Sequence, residues 1–438
     1  MIILGERGTN VKSWMAWVAG RKGKERTSSR GQLLCLVIAC TLFALPSGSE
    51  AASDGAWTTA ISASEEAVPD FYADISSSSG HARMELSTDE IASGTIRIAA
   101  DAAAAQFTLS QAVLERLNQK SFDITLVFAT ASESIVIPLS ELPDDGAAIV
   151  QVGREGGSTK LAEVLAGLPT GVKAGPIRFE VTSGGPPAEG VTFSRYVERY
   201  INLGLSKISD SATVLQWDEE LGELRFVPAR FENEGVNTVA VIHSREDGVY
   251  LVVDQAVSFA DMEGHWGRQE VERLAAKGII QGRGAGQFDP SGSVTRAETA
   301  ALLVRALGIV PSESASSFTD MEDKWYASSV AAAQKAGLIT GYNDDTFRPD
   351  DKVTRQELAV MMGRAIAYAG GAGHKPTVRG HMADTDRIAP WALESVEQAL
   401  ELGIIKGDDS GSFRPQAAAT RAEMAAMLSR MLQSLGFI

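Results

Sequence analysis

From Phe259 to Glu298 the chain reads FADMEGHWGRQEVERLAAKGIIQGRGAGQFDPSGSVTRAE, and its pattern F-A-D-x4-W-x15-G-x7-P-x4-T-R-A-E returns twice more, with small changes. Asp261, Asp320 and Asp384 open the three copies, and Trp266, Trp325 and Trp391 follow. Next come Gly282, Gly341 and Gly407, then Pro290, Pro349 and Pro415. Thr295-Arg296-Ala297-Glu298, Thr354-Arg355-Gln356-Glu357 and Thr420-Arg421-Ala422-Glu423 close the copies. Tryptophan, proline and arginine each recur after 59 and then 66 residues. A near-constant period with constant chemistry is repeat architecture. Within a copy, Val271, Leu274 and Ala275 predict a helix that Gly278 stops. Thr295, with Glu298 three residues on, predicts a capping box opening a second helix. One such hairpin cannot bury its apolar stripe alone, so three must share a core.

The rest of the chain bounds the problem. Its 438 residues are enough for two or three domains. The net charge of −16 sits mainly in residues 31–256 and argues against nucleic acid or an anionic membrane as partner. A basic stretch (Arg21, Lys22, Lys24, Arg26, Arg30) precedes an apolar run from Leu33 to Leu45, which reads as an export signal over 1–51. That run is too short to span a bilayer, so no membrane contact is expected once the signal is removed. Both cysteines, Cys35 and Cys40, lie inside the signal, leaving no thiolate for a disulfide or a metal.

Residues 52–85, polar and serine-rich, are expected to be a flexible lead-in. Residues 86–186 predict a mixed α/β module. Its strands are expected at 95–99, 122–129, 134–139 and 177–181, with short helices at 111–118 and 159–168. Residues 187–256 predict an antiparallel meander, and together the two stretches make a β-rich body of one or two domains.

The three copies resemble S-layer homology domains, modules that hold proteins on bacterial cell walls. The resemblance covers about 257–432, with repeats at 257–312, 316–372 and 380–438. The stretch from Trp217 to Phe231 is similar to a segment that often precedes these repeats. The strand pattern and the resemblance together predict an α+β multidomain chain: the β-rich N-terminal body, followed by the all-α pseudo-threefold helical bundle that the resemblance implies. It also implies clefts between repeats that bind secondary cell-wall polysaccharide, often through a terminal sugar bearing a pyruvate ketal.

The residues support such a site. Helix N-termini offer unpaired amides and partial positive charge. Arg296, Arg355 and Arg421, at the first helical position, offer guanidinium forks for a carboxylate. Trp266, Trp325 and Trp391 offer flat faces to a sugar, or else anchor the core. Asp261, Asp320 and Asp384 accept from sugar hydroxyls, orient the arginines, or cap the tryptophan helices. Gly282, Gly341 and Gly407 allow close backbone approach. The third copy, with Met382 for phenylalanine and two extra residues before Trp391, is expected to have the weakest cleft. Alanine at Arg296 and Arg355 is expected to weaken wall binding with little loss of helicity.

No catalytic residue, metal ligand or cofactor site is expected. Asn343-Asp344-Asp345 and Asp408-Asp409-Ser410 lack the ligand spacing of a calcium loop and read as solvated turns. His81, His243, His265, His374 and His381 are scattered. Gly282-Arg283-Gly284-Ala285-Gly286 lacks the lysine end of a phosphate loop, and no G-x-S-x-G elbow occurs. The expected function is a secreted, wall-anchored, non-enzymatic surface protein. Its rivals are a wall-anchored glycan hydrolase with its active site in 86–256, and a lattice-forming subunit that self-associates in a surface layer.

Overall fold

The computed structural model describes residues 71–78, 80–86, 94–120, 123–168, 171–184, 190–312, 315–321, 324–371 and 382–438. The expected signal, most of the expected lead-in and residues 372–381 lie outside that set.

The body is built from strands β1 (Phe71–Ser77), β2 (Gly80–Leu86), β3 (Thr95–Ala99), β4 (Ala104–Leu109), β5 (Thr125–Ala129), β6 (Glu133–Pro138), β7 (Ala148–Arg154) and β8 (Val172–Ser183). They are followed by β9 (Val197–Asn202), β10 (Ala212–Asp218), β11 (Glu223–Val227), β12 (Ala229–Glu234), β13 (Asn237–Ser244) and β14 (Gly248–Asp254). Helices α1 (Gln111–Asn118) and α2 (Thr159–Ala166) are inserted among them. One sheet has the order β11-β10-β14-β8-β7-β4-β1-β2, the other β12-β13-β9-β6-β5-β3. Apolar residues of both sheets share one core, with the rings of Phe107 and Phe128 in contact at 5.5 Å between centroids. The alternation that drives this is plain in β4, where Ala105, Phe107 and Leu109 are buried and their neighbours are not.

The structure corrects the sequence reading in three places. The lead-in expected over 52–85 contains β1 and β2, because Ala73 and Ile75 alternate inward and β1 pairs with β4 along Ala73↔Leu109 to Ser77↔Ala105. Period-2 burial outweighs a polar composition. The stretch 187–256 is not a meander: β9, β12 and β13 lie in one sheet and β10, β11 and β14 in the other. Pro228, between β11 and β12, marks one crossing, since proline cannot continue a ladder. Strands from either side of residue 186 are neighbours in both sheets, as β14 pairs with β8 and β9 with β6.

The repeats are helical. The first holds α3 (Arg268–Ala276) and α4 (Arg296–Ala306), the second α5 (Ala327–Lys335) and α6 (Arg355–Ile366), the third α7 (Leu393–Glu401) and α8 (Arg421–Ser434). All three capping boxes form: Thr295, Thr354 and Thr420 accept from the amides of Glu298, Glu357 and Glu423, whose carboxylates return to the threonine amides. Removing one cap, Thr354→Ala, is expected to cost about 1 kcal/mol. The shift in urea midpoint at unchanged m-value measures it.

Main-chain hydrogen bonds close the repeats on themselves. Val353 N–H donates to Val294 O (3.0 Å), Ala419 N–H to Val353 O (2.9 Å) and Val294 N–H to Ala419 O (3.1 Å). Packing follows the same circuit: α4 lies on α5, α6 on α7, and α8 on α3. One apolar cluster runs through all three repeats, including Leu274, Leu303, Phe347, Met362, Phe413 and Leu428.

The body docks on this ring. Phe226 of β11 is buried in the repeats' apolar cluster. Arg245 lies over the rings of Tyr196 and Tyr368, at 5.1 and 4.0 Å from their centroids, and Tyr196 donates its hydroxyl to Leu307 O at 2.7 Å. Phe437 packs its ring against Tyr196 (5.0 Å) and His243 (5.2 Å), while its carbonyl accepts from Ala229 N–H. Lys277 is buried here with its ammonium on Ala212 O, and burial pushes its pKa down to about 8. Among the described residues no helix is long and apolar enough to cross a membrane.

Candidate functional site

Each junction between repeats forms where the second helix of one meets the loops of the next, and its chemistry begins with a strained loop. Asp289, Arg348 and Arg414, the residues before Pro290, Pro349 and Pro415, all have left-handed backbone (φ 62°, 57° and 55°). A residue with a Cβ adopts this only under restraint. The restraint is the repeated aspartate. Asp261 accepts from Phe288 N and Asp289 N (2.8 and 2.7 Å), Asp320 from Phe347 N and Arg348 N (2.8 and 2.7 Å), and Asp384 from Phe413 N and Arg414 N (both 2.7 Å). For Asp261, burial works the other way, but these amides hold the carboxyl below its ordinary range. Both carboxylate oxygens are thus engaged with the chain itself, so the aspartates shape the loop and neither cap a helix nor bond the arginines.

The glycines serve the same loop. A Cβ on Gly282 would lie 2.7 Å from the Phe259 ring and 2.6 Å from Gln287 O; one on Gly341 would lie 2.5 Å from the Phe318 ring. At Gly407 the nearest contacts relax to 3.2 Å, one of them the Met382 sulfur that replaces phenylalanine. The chain's own side chain fills the space that sequence reading left for a ligand.

The helix N-termini are not open either. Arg296 N–H donates to Asp351 O, Ala297 N–H to Pro349 O, and the equivalent amides of Arg355, Gln356, Arg421 and Ala422 reach Ala417, Pro415, Gly292 and Pro290. With the third amide held by the threonine cap, the orphan donors are satisfied by the neighbouring repeat. The expectation of unpaired amides fails for this reason, and only side chains are left to offer donors there.

Those side chains are the arginines, and they cross between repeats. The Nε of Arg296 donates to Phe347 O (2.8 Å), that of Arg355 to Phe413 O (2.6 Å) and that of Arg421 to Phe288 O (2.9 Å). Each guanidinium also lies over the same phenylalanine ring, at 4.8, 5.0 and 4.4 Å. Arg296 and Arg355 are 7% and 5% exposed, which a surface fork would not be, whereas Arg421 is half-buried. Arg296 meets Glu357 at 3.4 Å and Arg355 meets Glu423 at 2.6 Å. Burial lowers the proton affinity of both Arg355 and Arg421. The next cause differs: Glu423 opposes it at Arg355, and Arg283, a like charge, adds to it at Arg421.

The tryptophans decide between their two readings. Trp266, Trp325 and Trp391 are 60%, 67% and 60% exposed, so they are not core anchors. Two of them stand near junctions between repeats: Gly267, next to Trp266, lies beside Ala422 of α8, and Ala389, two residues before Trp391, donates its N–H to Gln356 of α6. Sequence reasoning missed Tyr342, on which Arg296 and Arg348 both stack at 4.9 and 4.0 Å. It also missed Arg283, whose equivalent positions are Tyr342 and Asp408. The signal was available, as the residue following each repeated glycine.

The body offers a shallow hollow of about 430 Å³ lined by residues including Ser76, Gln106, Gln151, Arg154, Glu155 and Arg178. Glu155 is held by Arg178 at 2.5 Å. Glu133 is buried, its carboxyl pushed up by burial, and bonds Thr130 with Arg154 at 3.7 Å. Arg178 thus holds Glu155, whereas Oε1 of Glu133 is buried without a hydrogen bond. Among the described residues no cluster of three or more His, Cys, Asp or Glu is placed to hold a metal.

Comparison with known proteins fits this geometry. The S-layer homology domain family matches residues 258–300, 317–359 and 382–425. An amylopullulanase of Thermoanaerobacterium thermosulfurigenes is 30% identical over 252 residues, covering 57% of this chain and 13% of that enzyme. An S-layer protein of Bacillus thuringiensis subsp. finitimus is 29% identical over 181 residues, 41% of this chain and 22% of the relative. A cellulosome-anchoring protein of Acetivibrio thermocellus is 31% identical over 160 residues, 35% of each. The chain therefore spans a minor part of the curated relatives it matches. The first alignment is longer than the stretch from 257 to the C-terminus, so it extends into the strands upstream of the repeats.

Proposed function

We propose that this chain, which carries three S-layer homology domains, is a secreted, non-enzymatic surface protein that those domains anchor without covalent linkage to the cell wall. The repeats, at 257–312, 316–372 and 380–438, form a pseudo-threefold bundle displaying the β-rich body. The closed circuit of Val294, Val353 and Ala419 hydrogen bonds supports that symmetry. The partner is an acidic wall polysaccharide attached to peptidoglycan. Trp266, Trp325 and Trp391 lie against its sugar rings and Arg296, Arg355 and Arg421 bind its carboxylates. Asp261, Asp320, Asp384, Gly282, Gly341 and Gly407 shape the loops that present them.

The observation that carries this reading is the exposure of all three indoles. A soluble protein gains nothing by leaving three large rings in water at equivalent places unless something covers them. An indole offers a broad apolar face to the C–H side of a sugar and an N–H for hydrogen bonding. A guanidinium suits a carboxylate by charge and by shape.

Washed wall sacculi, before and after acid removal of their polysaccharide, test the proposal. The full chain is expected to bind intact sacculi and to lose all binding on stripped ones, while a truncation ending at Ala256 binds neither. Equal retention on stripped peptidoglycan would remove the polysaccharide from the account.

The hydrolase reading draws on the enzyme names among the relatives. Yet the shared segment is 13% of the amylopullulanase, too small a part of that enzyme to bring its activity to this chain. Release of reducing sugar from wall glycan by the purified chain would reverse that preference. Electron microscopy of the purified protein, by showing an ordered array, would favour the lattice-forming subunit.

A further inference from the structure

We infer that the three clefts are unequal, and that the one closed by the third repeat on the first, around Arg421 and Arg283, takes the acidic group most tightly. This rests on the reading that the clefts bind an acidic glycan.

The difference lies in which cation holds the capping glutamate. In the cleft between the second and third repeats, Glu423 is held by Arg355 at 2.6 Å and again by Arg414 at 3.1 Å. In the cleft between the first and second, Glu357 lies 3.4 Å from Arg296. An incoming carboxylate must displace these partners. In the remaining cleft, Arg283 holds Glu298 at 3.1 Å. Among the described residues no carboxylate lies within ion-pair distance of Arg421. Its Nε and Nη2 are spent on Phe288 O and Gln281 O, and Nη1 has no hydrogen bond.

The exchange traces to two loop positions. The first repeat has Arg283 and Asp289 where the third has Asp408 and Arg414, so the same ion pair stands with its ends reversed (3.7 and 3.1 Å). Both clefts thus have a second, half-exposed cation, but Arg414 shares Glu423 with Arg355, whereas Arg283 takes Glu298 alone and leaves Arg421, the most accessible of the three helix-start arginines, without a carboxylate among the described residues. Trp266, 60% exposed, precedes Gly267, which lies beside Ala422 next to Arg421, so an apolar face adjoins the two charges. The ligand this suits is a hexose carrying a carboxylate, ring against the indole and charge toward Arg421 Nη1. The third repeat's irregular loop, from which sequence reading expected the weakest cleft, borders the other side of that repeat.

Sacculus binding by four full-length variants tests the assignment, each with its melting temperature. Arg421→Gln and Arg283→Gln are expected to raise the dissociation constant about tenfold or more, the usual scale for losing a charge-assisted hydrogen bond. Glu298→Gln keeps the capping box, since glutamine serves there too, and is expected to tighten binding severalfold. Arg355→Gln is expected to lose less than Arg421→Gln. Should Arg421→Gln fold poorly, Arg283→Gln carries the same test: it gives up partly exposed ion pairs with Glu298 and Asp289, while the other oxygen of Glu298 keeps the Thr295 amide and the capping box. A larger loss from Arg355→Gln, with Arg283→Gln and Glu298→Gln binding as wild type, overturns the ranking and leaves the cleft reading intact. No change from any of the four overturns the cleft reading itself.

Discussion

Arg355→Ala is expected to destabilise the repeats by about 3–5 kcal/mol, the scale for removing one partner of a buried, hydrogen-bonded charge pair. The side chain is 5% exposed, spans two repeats, bonds Phe413 O and Glu423 at 2.6 Å each, and covers the Phe413 ring. Alanine leaves the Phe413 carbonyl short of its donor, leaves Glu423 only the exposed Arg414 as a cation, and opens a void between repeats. Urea denaturation followed by far-ultraviolet circular dichroism measures it. A loss below about 1 kcal/mol would mean that water replaces the guanidinium and that the arginine is not structural. This differs from the sequence-based expectation of weaker binding at unchanged helicity. An arginine at a helix start looks solvent-facing in one dimension, but here the next repeat covers it. Loss of wall binding in Arg296→Ala or Arg355→Ala therefore reports folding as well as recognition.

Phe437→Ala is expected to cost about 3 kcal/mol and to uncouple body from ring. Phe437 is 3% exposed, its ring touches Tyr196 and His243, and its neighbourhood continues through Arg245 to Tyr368. With this contact intact, calorimetry should show one cooperative transition for both parts; with alanine, the transition should divide in two. Two transitions already present in the unaltered chain would show that the junction, though packed, does not couple them.

Much of the repeat region was legible because its signals are local. Threonine with glutamate three residues on fixes a helix start, and all three starts stand where that pattern put them. Gly278 stops α3 with φ of +72°, as a helix-stopping glycine should. What escaped was whatever depends on main-chain partners far along the chain. Asp261 was open to several readings because nothing local says that its oxygens hold the amides of Phe288 and Asp289. The left-handed backbone of the three residues before the prolines, and the restraint it needs, show only in the structure.

In the body, β3, α1 and β6 were readable from β-branched or amphipathic runs, but β4 (AAQFTL) and β1 (FYADISS) were not. Their inward residues include alanines, which carry little strand preference, and the sheet around them supplies the stability. Sheet membership after Asn202 was unreadable for another reason: alternation tells which side chains face inward, never which of two facing sheets a strand joins.

If the bundle is the pseudo-threefold one proposed, the circuit through Val294, Val353 and Ala419 bears on how many seams three modules can offer. Laid in a row, three modules meet at two junctions and leave two raw ends; joined in a circle, they meet at three and leave none. Each copy of the motif therefore contributes once as floor and once as wall, and a fourth copy spliced into the chain has no seat unless the circle itself is broken.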